Sequence, residues 1–130
     1  MDLQLVVKEE FLLATVNGQV RLQDALEFFQ RACDTAAELG LDRVLVDCST
    51  AEGELTDLER YELGCAMAAY HLTKSIAFKV ATVGRPPLIS GFAAQVAFNR
   101  GVTAATFPDL QKATEWLRHF GSGTIQQPTP

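Results

Sequence analysis

The sequence predicts an α/β fold in which a mostly parallel sheet carries one antiparallel edge strand. Two β-rich runs open the chain, and after them helical patterns alternate with short β-branched runs to the end. Strands joined through helices of about ten residues or more imply right-handed crossovers and parallel pairing; a short charged turn implies an antiparallel hairpin. The expected order is therefore ββαβαβαβα.

Each element has a local reason. In LQLVVKEEFLLATVNG, Leu3, Leu5 and Val7 alternate with Gln4, Val6 and Lys8, so the first strand is half exposed and turns at Lys8-Glu9-Glu10. Leu22, Ala25, Leu26, Phe29, Ala32, Cys33, Ala36 and Leu39 recur at helical steps, Glu27 and Arg31 pair at i,i+4, and Gly40 stands where a C-terminal cap belongs. RVLVDCS, Arg43 to Ser49, fits a buried strand. The polar stretch that follows it ends in Thr56-Asp57-Leu58-Glu59, whose S/T-x-x-E form is a capping box. The helix it opens extends to about Leu72, with Leu58, Tyr61, Cys65, Ala69 and Leu72 on one stripe. KSIAFKVATVG is a strand; Pro86 and Pro87 suit the entry of a third helix that ends at Asn99 to Gly101. VTAATF is the last strand. Asp109 caps a last helix that points Leu110, Ala113, Trp116, Leu117 and Phe120 inward.

Composition bounds the function. A chain of 130 residues and 14.2 kDa is one domain's worth, assigned to residues 1–120, with 121–130 expected to be a flexible tail. No apolar run approaches the roughly 18 residues of a membrane span, and MDLQLVVKEE lacks the basic start and apolar core of a secretory signal. A cytoplasmic protein without an integral membrane segment is expected. Cys33, Cys48 and Cys65 fit neither a disulfide framework nor a CxxC pair, and read as free thiols. The net charge of −5 argues against a nucleic-acid partner. It is unevenly spread: residues 1–62 carry 14 acids against 5 bases, and residues 63–130 carry 2 against 6. Such a dipolar chain either steers a charged partner or simply follows its solvated faces.

The combination of FLLATVNGQV before an acidic amphipathic helix, RVLVDCS, IAFKVATVG and the ending TFPDLQKATEWL resembles the STAS superfamily, the anti-sigma-factor-antagonist fold, and within it the SpoIIAA-like branch. The resemblance spans about residues 5–120 and implies a STAS-like fold with a regulatory or protein-interaction role. In true antagonists a serine in Asp-Ser-Ser-Gly at a helix N-terminus is the phosphorylation switch. Here that region falls on Leu55, Thr56 and Asp57, without the preceding acid or the following glycine, and Asp57 stands where a permanent negative charge would mimic the phosphate. The branch is also grouped with lipid-binding modules of the Sec14 type, which implies as the alternative a carrier or sensor of a small apolar ligand.

Candidate sites follow from the carboxyl edge of the parallel strands, where open sheets bind ligands. Asp47, Ser49 and Thr50 with Thr56 and Asp57 form a candidate switch or binding loop, and Arg85 is a candidate anion contact beside a helix start. Asp47 alternatively accepts amide bonds within its own loop. No histidine lies near these hydroxyls and no GxSxG elbow appears, so no catalytic residue is assigned and the protein is expected not to be an enzyme. His71 and His119 form no metal motif, and no metal or other cofactor is expected. The third helix is apolar on several sides. In the plain case the chain's own neighbouring helix covers it; otherwise Phe92, Val96 and Phe98 are its candidate surface for a homodimer mate, another protein or an apolar ligand, with Glu52 and Glu54 at the rim.

Overall fold

A computed structural model describes residues 2–74 and 76–119. The expected tail, 121–130, and Phe120 lie outside them. The elements are β1 (Asp2–Lys8), β2 (Phe11–Gln19), α1 (Leu22–Glu38), β3 (Arg43–Glu52), α2 (Asp57–Leu72), β4 (Lys79–Val83), α3 (Phe92–Asn99), β5 (Thr103–Phe107) and α4 (Leu110–His119). The order ββαβαβαβα is as the patterning predicts. The strands lie β1-β2-β3-β4-β5, with β1 antiparallel to β2 and every other pair parallel.

Alternation along the strands divides the core between two faces. Leu12, Ala14, Val44, Val80 and Ala104 pack with α1, α2 and α3, whereas Phe11, Leu45, Ala81, Val83, Ala105 and Phe107 pack with Ala113 and Leu117 of α4. Helix α1 ends as its sequence dictates. Gly40 takes φ +72° and donates to the Ala37 carbonyl, and the Leu41 N–H reaches the Ala36 carbonyl at 2.8 Å, a pairing that satisfies two orphan acceptors. At α4, the Lys112 N–H donates to the Asp109 carboxylate at 2.9 Å, so Asp109 caps the helix as expected.

Several local expectations are corrected. Strand β3 does not stop at Ser49 but continues to Glu52, because Thr50, Ala51 and Glu52 pair with Asn17, Gly18 and Gln19 of β2. Between Asp47 and Thr50 the register advances three residues against two in β2, a bulge at Cys48-Ser49. Helix α3 begins at Phe92 rather than at the prolines: Pro86 to Leu88 form a turn, and Gly91 at φ +90° precedes the first helical residue. The α2 stripe faces outward. Leu58 and Leu72 are 66% and 79% exposed, and the buried side of the helix is Gly64, Met67 and Ala68. Leu39 and Leu110 are likewise exposed instead of inward.

The orientation of α2 explains what covers α3. Gly64 lets α2 approach so closely that a Cβ there would stand 2.6 Å from both the Ala93 carbonyl oxygen and Val96 Cβ. Val96 is therefore buried between two helices of the same chain and is not an outward contact. Phe98 is half-buried, and Phe92 is the exposed member of the expected trio, at 41%.

Candidate functional site

Four connections, 20–21, 53–56, 84–91 and 108–109, meet at the carboxyl edge of the parallel strands. The start of α2 is built by its own side chains. Thr56 Oγ1 accepts the Glu59 N–H at 3.1 Å, and Glu59 Oε1 accepts the Thr56 N–H at 2.9 Å, so the expected capping box is present. Asp57 and Glu59 stand at the positive end of the helix dipole.

Arg60 ties this helix start to the proline loop. Its Nη1 donates to Asp57 Oδ1 at 3.0 Å and its Nη2 donates to the Pro87 carbonyl, while the side chain is largely buried. A guanidinium is suited to holding two acceptors in one plane. Nothing in the sequence pattern singled Arg60 out; its i+3 spacing from Asp57 was the available signal.

The edge is concave on both sides of the 84–91 connection. A groove of about 310 Å³ lies between Ser49 to Gly53, Arg85 to Leu88 and Pro108. A second hollow of about 440 Å³ is bounded by Arg85, Ser90, Gly91, Gln95, Thr106 and Pro108. Arg85, Pro86 and Pro87 are exposed and border the first groove.

The expected switch loop is divided by the strand that replaces part of it. Asp47 lies on the α4 side of the sheet, in line with Leu45, and is 9% exposed. Its Oδ1 accepts both the Ser49 N–H at 3.0 Å and the Ser49 hydroxyl at 2.6 Å. The Thr50 hydroxyl donates to Asn17 Oδ1 across the bulge. Thr56 and Asp57 belong to α2, against the opposite face. The five candidate residues thus form two groups: a self-satisfied polar cluster, and an exposed helix start that shares the edge with Arg85.

This arrangement offers little nucleophilic chemistry. Ser49 and Asp47 are in contact, but among the described residues no third group orients them and the carboxylate oxygen is shared with an amide. Burial pushes the Cys48 thiol up to about 12, with the Asp47 charge adding to it. Burial likewise raises Cys33 to about 12, with Asp34 contributing. His71 is elsewhere, at the far end of α2, where its Nε2 accepts the Phe78 N–H at 3.1 Å and burial lowers its pKa. Among the described residues no group of three His, Cys, Asp or Glu could hold a metal, and no helix is long and apolar enough to cross a membrane. Between the sheet, α1 and α2 lies an apolar cavity of about 90 Å³, bounded by Val16, Phe28, Leu55, Leu63, Met67 and Leu88.

Comparison with known proteins places this geometry in a fold. The solved structures similar to the chain include an anti-sigma factor antagonist from Mycobacterium paratuberculosis, with a TM-score of 0.61, 15% sequence identity, and coverage of 90% of this chain and 93% of that one. They also include an uncharacterised protein with a SpoIIAA-like fold from Shewanella loihica PV-4, at a TM-score of 0.48, 17% identity and coverage of 89% and 92%. No protein-family model matches the chain, and no curated protein sequence does. The chain has the STAS-like fold of the anti-sigma factor antagonist: among the described residues, a mixed five-stranded sheet with one antiparallel pair, and four helices.

Proposed function

We propose that the chain is a non-catalytic regulatory module that docks a protein partner on the carboxyl edge of its sheet. The observation that carries the reading is the Asp57–Arg60–Pro87 bridge, which joins an acidic helix start to an exposed proline loop as one continuous surface beside an open groove. Rigid, pre-assembled surfaces bind with less ordering cost than mobile loops. Asp57 presents a fixed negative charge there, Arg85 a positive one, and Thr56 a hydroxyl whose modification would add charge at the helix N-terminus. The anti-sigma factor antagonist with the same fold is a regulatory protein by its description, which agrees with this reading.

A second reading, a small apolar ligand, is favoured by the apolar cavity beneath α1 and α2. Its size limits that reading. An apolar cavity of about 150 Å³ takes benzene, so a space of about 90 Å³ has no room for an acyl chain. Protein docking is therefore placed first, with a second copy of the chain as a further partner on a different surface.

Native mass spectrometry of the tagged chain isolated from its own host distinguishes these readings. A complex with a second polypeptide, lost in Asp57→Arg, is the expected result. A bare chain carrying a small molecule, or a turnover abolished by Asp47→Ala, would overturn protein docking.

A further inference from the structure

Helix α2 has a second, largely exposed face, on which one chain contact is made: the Arg100 guanidinium lies over the Tyr61 ring at 5.7 Å and donates to its hydroxyl at 2.9 Å. Leu58, Tyr61, Cys65, Ala69 and Leu72 follow steps of three, four, four and three along the side opposite Met67. Leu58, Tyr61 and Leu72 are all exposed, Tyr61 at 42%. At about 1.5 Å per residue the stripe is roughly 21 Å long, ample for a helix-on-helix contact. Its step pattern is the same read from either end, and its midpoint is Cys65.

That palindrome is the property a two-fold contact requires. In an isologous interface, position i meets j of the mate and j meets i, so a helix pairing with its own copy must present a self-complementary stripe. Set antiparallel, Leu58 meets Leu72 of the second copy, Tyr61 meets Ala69, and Cys65 meets Cys65. Charge selects the direction. Asp57, Glu59 and Glu62 crowd the N-terminal half of α2, whereas its C-terminal half carries no acid and Lys74 beyond it is paired with Asp34 of α1 at 2.6 Å. A parallel pair would set the acidic ends together, while an antiparallel pair sets each beside a C-terminal half without acids and opposes the two helix dipoles.

We infer that α2 is a self-association face, packing antiparallel on α2 of a second copy with the two-fold axis at Cys65. The inference rests on the reading of the chain as a binding module that also takes its own copy. It moves the expected self-contact from α3, whose Val96 is occupied by Gly64, to the outer side of α2. The self-contact adjoins the carboxyl edge, since Leu58 directly follows Asp57.

The test uses the purified full chain alone, so its failure leaves partner docking to be judged by the Asp57→Arg experiment. Sedimentation equilibrium at about 100 µM, well above the micromolar constants of weaker specific complexes, should return twice the 14.2 kDa chain mass. Leu58→Asp and Leu72→Asp replace exposed side chains and should each return the single chain mass with an unchanged circular dichroism spectrum. A short bis-maleimide applied to the wild type should give a covalent pair joined Cys65 to Cys65 by peptide mapping, abolished in Cys65→Ser. A monomeric wild type, a dimer that survives both aspartates, or a dimer not joined at Cys65 would each overturn the inference.

Discussion

Gly64 of α2 lies directly on Val96 of α3, at a separation that leaves no room for a Cβ. This contact decides which side of α2 is inside. It fixes the helix so that Met67 and Ala68 enter the core and Leu58 and Leu72 point to solvent.

Replacing Gly64 with alanine tests the contact. Helix propensity alone favours alanine by about 1 kcal/mol. The added methyl meets a backbone carbonyl and must part α2 from α3, an overpacking cost of typically 1–3 kcal/mol. Gly64→Ala should therefore lower stability in a urea melt, and a more stable variant would contradict the close approach.

Thr56 is the cap of α2. Thr56→Ala should cost about 1 kcal/mol, and Thr56→Ser little, because serine keeps the acceptor for the Glu59 N–H. Equal melts for the two variants would remove the cap from the account.

His71 sets a pH window. Its neutral Nε2 accepts the Phe78 N–H, and burial holds its folded pKa below the ordinary 6.5. A base with a depressed folded pKa gives stability that is present above the unfolded value and lost as pH falls toward the folded one. Urea midpoints should fall below about pH 6.5, before the carboxylates titrate, and His71→Gln should flatten that part of the curve. An unchanged slope in His71→Gln would contradict the assignment.

The thiols should differ in reactivity. With Cys33 and Cys48 both pushed up to about 12 by burial, a maleimide at neutral pH in dilute solution should add first at Cys65. Early adducts on Cys48 would contradict its burial.

Much of the fold was legible because local rules agreed with one another. The α1 stripe, Gly40, the Thr56-Glu59 box and Asp109 each encode their element in a few neighbouring residues. The failures share a different origin. Helix α2 is apolar on several sides, so periodicity could not choose between the Leu58–Leu72 stripe and the Leu63–Met67 side; the small residues Gly64 and Ala68 marked the packed one. Strand β3 runs on through Thr50 to Glu52 because β2 supplies hydrogen-bond partners there, which a polar sequence does not reveal. Of the candidate site, Thr56, Asp57 and Arg85 are exposed at the edge as placed. Asp47 was separated from them by the bulge, and Arg60 was missed because its role depends on a loop 27 residues away.

The most direct measurement of partner docking is hydrogen exchange on the chain with and without the polypeptide that co-purifies with it. The account predicts protection confined to residues 52–60 and 84–91, and its loss in Asp57→Arg. Protection instead across the α4 face around Asp47, or no change at the carboxyl edge, would contradict it.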